Sequence, residues 1–345
     1  MNTAAITDTR SLKKLLSAAK KCDGKKIKYP VRIICNGSAV VLWNGKEHGF
    51  SAVLPCDHNA EADDVSCTAP AADFLSAIVS VKSPFVLSDH RIESGGFSRQ
   101  LAAYEFTAMN LSHIPEWTAT VDAGDLHDAL AATLQTVAYN DGSSYRLESV
   151  CLESDESGLL NVVSTDSKIL TLFPIKNDRQ EKFTTLIDRQ AAATLAEILP
   201  KSGAVTIHAD NKLVLIAWTD GQFWTIPTEG RFPRWRDILS SRRNCFSVTA
   251  NTVTLRTILR PMLSRETSFT IAEGELQAVS ELGSATIAVS SPKPFRFKAA
   301  ASTIAGFLDH VDAETVTIYG EEKPHNNPLT IQDGRSLRMF MPLAE

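Results

Sequence analysis

Apolar side chains recur every three or four positions in six segments of the chain, and each segment is predicted to form an amphipathic helix. The first is predicted from Ser11 to Lys21, with leucine and alanine on one side and lysine on the other. The fifth, at 251–263, contains Pro261, which is expected to bend or fray its last turn. The other predicted helices lie at 71–81, 125–137, 189–199 and 304–311.

Between these helices apolar and polar residues alternate, which predicts short strands separated by turns. The run 212–226 is predicted to be a hairpin, and 316–341 repeats its design. A helix, a run of strands, an Ala-rich helix and another run of strands follow in this order three times. We therefore expect an α+β fold of three repeated domains, each with two helices packed on antiparallel sheets. The domains are predicted at 1–116, 117–242 and 243–345.

The bulk composition is that of a globular protein. Of the 345 residues, 43% are hydrophobic and 22% are charged. The apolar runs have the length of strands and not that of membrane spans, which need about 18 residues. Asp8 and Arg10 stand where a secretory signal would be apolar, so no signal peptide is expected. The six cysteines show no C-x-x-C pairing, which favours reduced thiols in a cytoplasmic protein and gives no indication of a metal site.

Charge is distributed unevenly along the chain. The net charge of −5 argues against non-specific affinity for nucleic acid over the whole surface. Between Arg10 and Pro30, however, there are eight lysines and arginines and a single acid, Asp23. This local excess is a candidate phosphate-facing patch, and the alternative is a solvated basic helix without a partner.

Residue patterns of catalytic sites are absent or incomplete. The sequence contains no G-x-S-x-G, H-E-x-x-H or C-x-x-C pattern. S-x-x-K occurs at Ser11–Lys14 and at Ser17–Lys20, but without the K-T-G and S-D-N partners that acyl-enzyme chemistry needs. We therefore predict a non-catalytic protein without a cofactor or metal. An enzyme that acts on nucleic acid is an alternative hypothesis, but the sequence offers no nucleophile, metal cluster or paired acids to support it.

Four short segments resemble motifs of one family when they are taken together and in order. They are Tyr145–Val150, Val163–Leu170, Gly230–Trp235 and Met339–Leu343, and each by itself is ordinary strand-edge or turn sequence. Together they resemble the bacterial sliding clamp, the β subunit of DNA polymerase III. Its corresponding motifs are of the types Arg-Tyr-x-Leu-x-Gly, Thr-Asp-Gly-His-Arg-Leu, Gly-x-Phe-Pro-Asp-Tyr and Met-Pro-Met. The register holds over 120–345 and is looser in the first repeat.

The resemblance implies three clamp-type domains per chain and two chains paired head-to-tail in a ring around duplex DNA. Such a clamp tethers a DNA polymerase subunit and binds the clamp loader through short peptide motifs of these partners. Its DNA contacts are sequence-independent and salt-sensitive. Asp125 and Asp128 in the third helix weaken the expectation of DNA contact for the central domain. The residues assigned to DNA are Lys13, Lys14, Lys20, Lys21, Lys25, Lys26, Lys28, Arg146, Arg256 and Arg260.

The resemblance also implies an apolar groove between the second and third domains that holds the partner peptides. Ser167, Lys168 and Ile169 stand where the family has Gly-His-Arg, and Asp237 stands where Arg is usual. We therefore expect a groove altered in charge and shape. The alternatives are a groove that has lost peptide binding and a clamp-fold scaffold protein without a replicative role. The other departures are Glu266, Lys298 and Ala301. The groove positions are Leu147, Thr165, Lys168, Leu170, Pro233, Ile238, Met341, Pro342 and Leu343.

Overall fold

The computed structural model describes residues 3–23, 28–58, 64–78, 85–88, 91–94, 97–109, 111–139, 144–240, 245–263, 266–291, 293–321 and 327–343. The helices of this part of the chain are α1 (Thr9–Lys21), α2 (Ala71–Ile78), α3 (Ala123–Leu134), α4 (Arg189–Ile198), α5 (Trp235–Ser240), α6 (Thr252–Leu259) and α7 (Ala301–Leu308). The first eight strands are β1 (Ala4–Ile6), β2 (Pro30–Asn36), β3 (Ser38–Asn44), β4 (His48–His58), β5 (Val65–Pro70), β6 (Phe85–Ser88), β7 (Arg91–Ser94) and β8 (Phe97–Gln100).

The next eight strands are β9 (Trp117–Asp122), β10 (Ser149–Ser154), β11 (Leu159–Thr165), β12 (Ile169–Lys176), β13 (Phe183–Asp188), β14 (Ala204–Ala209), β15 (Val214–Trp218) and β16 (Gly221–Thr225). The last eight are β17 (Phe246–Asn251), β18 (Thr267–Ala272), β19 (Glu275–Ser280), β20 (Gly283–Ala288), β21 (Phe295–Ala299), β22 (Thr315–Gly320), β23 (Leu329–Gln332) and β24 (Leu337–Phe340).

The element order repeats three times. Each repeat consists of a strand, a helix, four strands, a second helix and three strands. The first repeat contains β1 to β8 with α1 and α2, the second β9 to β16 with α3 and α4, and the third β17 to β24 with α6 and α7. The strands pair antiparallel throughout these repeats. This confirms the predicted α+β fold of repeated units.

Helix α1 shows how the sequence pattern produces a repeat. The Asp8 carboxylate caps the helix by accepting the Ser11 N–H at 3.0 Å, so α1 begins two residues before the predicted start. The buried side consists of Leu12, Leu15, Leu16, Ala18 and Ala19. Their spacing places them on one face of the helix, and α1 packs against α2 and β3. The predicted apolar face is therefore confirmed.

Other helix boundaries differ from the predicted ones for a common reason. Helices α3 and α7 end at Leu134 and Leu308, although the apolar period runs on to Val137 and Val311. Both valines are buried, so a buried turn continues the helical pattern without being helical. Helix α6 ends before a 3₁₀ turn at Arg260–Met262, which confirms the expected effect of Pro261. For α2, the predicted end at 81 lies outside the described residues.

The chain divides into two compact units. The first comprises 1–127, 177–179 and 190–227, and the second comprises 128–176, 180–189 and 228–345. Each unit contains strands of two successive repeats, because elements of the second repeat are divided between them. The boundaries at 116 and 242 of a three-domain division stay a prediction.

The first unit contains a 12-stranded sheet in which β4 of the first repeat pairs with β16 of the second. Phe50 on β4 lies opposite Phe223 on β16. Both rings are buried, and Trp43 packs at 5.5 Å from Phe50 between ring centres. An aromatic core thus covers the line where the two repeats join.

The second unit contains an eight-stranded sheet in which β12 of the second repeat pairs with β24 of the third. Leu170 on β12 lies opposite Met339 on β24. A separate four-stranded sheet has the order β20-β19-β18-β21. In the core of this unit, Phe269 and Phe297 stack at 4.7 Å between ring centres.

A buried arginine connects the elements of the second unit. Arg338 on β24 is 2% exposed. Its guanidinium donates to the hydroxyl of Thr171 at 3.0 Å, to the carbonyls of Thr303 at 3.0 Å and Ala132 at 3.2 Å, and to the side-chain oxygen of Gln135 at 3.2 Å. Burial lowers the pKa of Arg338 to about 10, so it remains charged at neutral pH. Neutral oxygens on β12, α3 and α7 therefore compensate the cost of burying this charge.

Replacement of Arg338 by Met is expected to lower the free energy of unfolding by about 3 kcal/mol, since the buried carbonyls of Thr303 and Ala132 lose their donor. Urea unfolding followed by circular dichroism measures the change. Arg335→Met is the matched control, because Arg335 is exposed on the preceding turn. Equal losses in the two variants would contradict the role of Arg338.

Candidate peptide-binding groove and cationic surfaces

An apolar cluster lies where β12 pairs with β24. Leu170 and Met339 face each other across the ladder, and both are buried. Phe232 and Leu239, which flank the predicted groove residues of the segment 233–238, pack against the cluster. The structure thus brings Leu170 together with this segment. The buried members are Cys151, Val163, Leu170, Leu186, Trp235, Leu337 and Met339.

The turn between β11 and β12 keeps a glycine-like backbone without a glycine. Ser167 has φ of 76°, in the left-handed region. The Asp166 carboxylate accepts the N–H groups of Lys168 at 2.9 Å and Ile169 at 2.7 Å. The Thr165 hydroxyl donates to the carbonyl of Ile169 at 2.7 Å. Ser167 therefore adopts a backbone conformation that favours glycine.

The end of the chain is attached to this turn. The Met341 N–H donates to the carbonyl of Lys168 at 3.2 Å, and the Leu343 N–H donates to the carbonyl of Lys298 at 2.8 Å. Met341 is 46% exposed, whereas Pro342 is buried. The ammonium group of Lys298 forms an ion pair with Glu266 at 2.8 Å. The structure therefore brings three of the predicted groove residues, Lys168, Met341 and Leu343, to one side of the β12–β24 junction.

Two further predicted residues, Pro233 and Ile238, lie at a short helix that the sequence analysis did not predict. Pro233 is half-buried before α5, and Ile238 is exposed on it. Buried Trp235 donates its indole N–H to Glu153 at 2.8 Å. Arg236 donates to the same carboxylate at 2.8 Å. Six residues are too few for a helical period to be recognised.

Beside α5 lies an open pocket of about 330 Å³. Phe232, Pro233 and Trp235 form an apolar wall, and Cys151 and Glu153 also contribute to its lining. Burial raises the pKa of the Cys151 thiol, which keeps it protonated at neutral pH. The pocket therefore has an apolar wall next to the carboxylate of Glu153.

An acidic loop fixes the outer side of Arg236. Burial opposes ionisation of Asp155, but hydrogen bonds from Ser157, Asn161 and Arg236 outweigh it and lower the pKa of Asp155. Arg236 reaches the carboxylate of Asp155 at 3.1 Å. The charges next to the pocket are therefore largely neutralised by one another.

The remaining groove positions are held by local contacts. Leu147 is buried, and its carbonyl accepts the N–H of Ala138 at 3.0 Å. Thr165 is also buried, and its hydroxyl is used within the turn. Both residues therefore shape the frame of the groove through bonds inside the protein.

Two of the four lysines on the polar face of α1 form contacts within the first unit. Lys14 donates to the carbonyl of Leu199, just after α4, at 3.2 Å. Burial and the charge of Lys201 lower the pKa of Lys14. Lys21 forms an ion pair with Glu197 of α4 at 2.9 Å. Lys13 is half-buried and Lys20 is exposed.

The predicted arginines of α6 lie at the end of α7. Arg256 donates to the carbonyls of Leu308 and, at 3.0 Å, of Val311, so it satisfies backbone groups at a helix C-terminus. Arg260 forms an ion pair with Asp309 at 3.3 Å, and its side chain is 66% exposed. Arg256 thus has a structural role, and Arg260 remains accessible.

The last predicted cations have different surroundings. Arg146 is exposed, and it donates to the carbonyl of Glu229 at 2.8 Å. Lys28 is exposed. Lys25 and Lys26 lie outside the described residues. In the part of the chain that the structure describes, no group of three metal-ligating side chains is assembled, and no helix is long and apolar enough to cross a membrane.

Replacement of Ser167 by Gly is expected to raise the free energy of unfolding by about 0.5–1 kcal/mol, since glycine adopts a positive φ without the strain of a side chain. Thermal unfolding at fixed pH measures the effect. The neighbouring substitution Lys168→Gly is the control and is expected to destabilise, because only backbone entropy changes there. A loss of stability in both variants would contradict the strain at Ser167.

Comparisons by sequence find no relative. No protein-family model matches the chain, and no curated protein sequence matches it.

Solved structures match over the whole chain. The DNA polymerase III β subunit of Thermotoga maritima is 18% identical, covers 100% of both chains and has a TM-score of 0.82. The sliding clamp of Pseudomonas aeruginosa bound to griselimycin is 16% identical, covers 100% of both chains and has a TM-score of 0.82. The β clamp of Helicobacter pylori bound to a DNA ligase peptide is 15% identical, with 100% coverage of both chains and a TM-score of 0.78. The chain has the fold of the bacterial DNA polymerase III β subunits.

Proposed function

We propose that this chain is a DNA sliding clamp, a non-catalytic protein of three domains that closes as a head-to-tail ring of two copies around duplex DNA. The groove at the β12–β24 junction holds short peptides of a DNA polymerase subunit and of the clamp loader. The domains are those predicted from the sequence, 1–116, 117–242 and 243–345. The observation that carries the proposal is the way in which successive repeats are joined.

The same pair of strands joins the repeats at both junctions. The fourth strand of the first repeat, β4, pairs with the last strand of the second repeat, β16. The fourth strand of the second repeat, β12, pairs in the same antiparallel way with the last strand of the third repeat, β24. A single rule of association thus connects repeat one to repeat two and repeat two to repeat three.

By this rule, two strands lack the partner that the corresponding strands of the other repeats have. By position in the repeat, β20 corresponds to β4 and β12, and β8 corresponds to β16 and β24. Within the described residues β20 pairs with β19 alone, and β8 pairs with β7 alone. Unpaired strand edges tend to pair with another chain. Pairing of β20 with β8 of a second copy, made twice, closes a ring of six repeats.

The DNA contact is assigned to cations that keep accessible side chains, of which Arg260 also pairs with Asp309. Lys13, Lys20 and Arg260 lie on helical elements and keep exposed or half-exposed side chains. Contacts of lysine and arginine with phosphate are independent of sequence, which suits a protein that slides. The overall net charge of −5 limits such contacts to these local surfaces.

The groove supports the partner part of the proposal. It combines the exposed side chain of Met341 with a buried apolar floor at Leu170 and Met339. Flexible methionine side chains suit adaptable recognition of peptides. Two solved clamps of the same fold were obtained with a DNA ligase peptide and with griselimycin, and by analogy we propose peptide partners for this groove.

A second candidate function is a clamp-fold scaffold without a role in replication. The contacts of Lys14, Lys21 and Arg256 inside the protein favour it, since they reduce the number of cations available to phosphate. Retention on DNA separates the two functions.

Ring closure is tested at the edge of β20. Ser280 and Gly283 flank a two-residue loop and form a hydrogen-bonded pair. In an antiparallel ladder hydrogen-bonded and non-hydrogen-bonded pairs alternate, so Thr286, three residues after Gly283, belongs to a non-hydrogen-bonded pair and its N–H points away from β19. Thr286→Pro removes this outward donor and is expected to weaken the dimer about 100-fold, which corresponds to about 3 kcal/mol. Analytical ultracentrifugation of the wild-type protein and of the variant measures the dimer dissociation constant.

Thr286→Val is the matched control, because it changes the same exposed side chain but keeps the N–H. It is expected to leave the dimer intact, and circular dichroism checks that both variants are folded. A wild-type protein that stays monomeric at micromolar concentration, or a proline variant that still dimerises, would argue against the ring.

Topological retention on DNA is tested with a nicked circular plasmid. Protein is mixed with the circle at a concentration where it is monomeric, concentrated to allow ring closure, and passed through gel filtration in salt. A clamp stays with the circle and is lost after linearisation of the plasmid. The double variant Lys13→Glu, Lys20→Glu is expected to reduce retention. The slope of log affinity against log salt concentration is expected to become shallower by about one unit for each phosphate that the variant no longer neutralises.

The control Lys176→Glu, Lys212→Glu makes the same charge change at two exposed residues, one at the end of β12 and one in the turn before β15. It is expected to be retained like the wild-type protein. Equal retention on circular and linear DNA would exclude encirclement, and a closed ring that is never retained would favour the scaffold function.

A further inference from the structure

The first unit contains a pocket at the junction that corresponds to the groove. It has a volume of about 370 Å³ and lies where β3 turns into β4, close to the end of β16. Its lining includes Tyr29, Phe106, Met109 and Trp224. This volume lies in the range of sites that take up ligands and side chains of partners.

The backbone around this pocket repeats the backbone around the groove. Three residues, 45–47, connect β3 to β4, and three residues, 166–168, connect β11 to β12. The Ile226 N–H donates to the carbonyl of Glu47 at 2.8 Å, as the Met341 N–H donates to the carbonyl of Lys168 at 3.2 Å. Corresponding turns therefore anchor corresponding chain segments.

The side chains that follow the last strand of each junction also correspond. Ile226-Pro227 follows β16 directly, and Met341-Pro342 follows β24 directly. Ile226 is 44% exposed and Met341 is 46% exposed. Each junction thus presents one large apolar side chain to solvent at the same place.

The segments that follow β8 and β16 complete the correspondence. Residues 105–109 line the pocket in the first unit, and residues 232–238 contribute Pro233 and Ile238 to the groove in the second. The Asn44 side chain at the end of β3 donates to the carbonyl of Thr107 at 2.6 Å. This bond holds the segment beside the turn and keeps the pocket open between them.

We propose that this pocket is a second docking site of the chain, for an extended peptide of another protein with an apolar anchor residue next to lysine or arginine. The inference rests on the proposed function of the groove, of which the pocket is the counterpart in the preceding repeat.

The charges at the rim of the pocket favour a basic residue next to the apolar anchor of the peptide. Lys46 and Glu47 form an exposed pair at 3.1 Å and neutralise each other. Glu105 also lines the pocket and is exposed, and among the described residues it forms no ion pair. A lysine or arginine of the peptide supplies the missing positive charge. The groove differs, since its turn carries the exposed Lys168.

Methionine methyl NMR of the full-length protein reports both sites in one experiment. The chain has five methionines, at positions 1, 109, 262, 339 and 341. Met109 lines the pocket, Met341 lies in the groove, and buried Met262 in the third repeat is an internal control. Resonances labelled with ¹³C at the methyl group are assigned by single Met→Leu substitutions.

The probe is a capped hexapeptide of two lysines, a serine, two leucines and a phenylalanine, and its twin carries two glutamates instead of the lysines.

The basic probe is expected to shift the Met109 resonance saturably while Met262 stays unchanged. The acidic twin is expected to bind this site about threefold more weakly, as is typical of one exposed ion pair. Glu105→Lys reverses this preference, and Glu105→Gln removes it. Ala108→Trp fills the pocket from its exposed rim and is expected to abolish the response of Met109 without changing that of Met341.

The outcomes separate the two sites. A shift of Met341 with an unchanged Met109 overturns the second site and leaves the proposed groove in place. A shift of Met109 with an unchanged Met341 supports the second site and counts against the groove. If neither resonance moves, both are overturned. A Met109 shift that depends on protein concentration without peptide means that another copy of the chain occupies the pocket, which also overturns the proposal.

Discussion

Pairing of strand edges between successive repeats is the constraint on which the rest of the structure depends. A strand that ends a sheet exposes backbone N–H and C=O groups, and these must be paired or solvated. The β4–β16 and β12–β24 ladders satisfy these groups by joining one repeat to the next. Each ladder also places a three-residue turn beside the end of the partner strand. The bond from Met341 to Lys168 and the bond from Ile226 to Glu47 are both consequences of this geometry.

The second junction carries an additional constraint, the buried charge of Arg338. A guanidinium without water is tolerated only if its donors are satisfied, and here hydroxyl, amide and carbonyl oxygens from three elements satisfy them. A hydrophobic residue of similar size would leave the carbonyls of Thr303 and Ala132 without this donor. The bonds of Arg338 connect β24 to α3 and α7, and the neighbouring Met339 faces Leu170 on β12.

Basic residues serve two purposes that compete in this chain. The C-terminal turns of α4 and α7 leave carbonyl groups without intrahelical partners, and Lys14 and Arg256 donate to carbonyls there. Lys21 is likewise paired with Glu197 on α4. A cation that stabilises a helix end is less available to a phosphate. Proximity in sequence therefore overstates the basic surface. Lys14, Lys21, Arg256 and Arg260 have partners inside the protein, whereas Lys13 and Lys20 form no ion pair within the described residues.

The sequence by itself determined the elements and their order, because the periods of helix and strand are local. The apolar face of α1, the break at Pro261 and the threefold order of helices and strands all followed from spacing along the chain. The family resemblance indicated the groove residues at Lys168 and Met341, which the structure brings together. Elements too short to show a period, and contacts between residues far apart in sequence, depended on the tertiary structure. Helix α5 has too few residues for a period, the positive φ of Ser167 is imposed by the turn, and Arg338 is indistinguishable from a surface arginine until β24 is buried. Sequence spacing specifies which face of an isolated element is buried. Only packing decides which elements contact each other and which charged side chains form bonds between them.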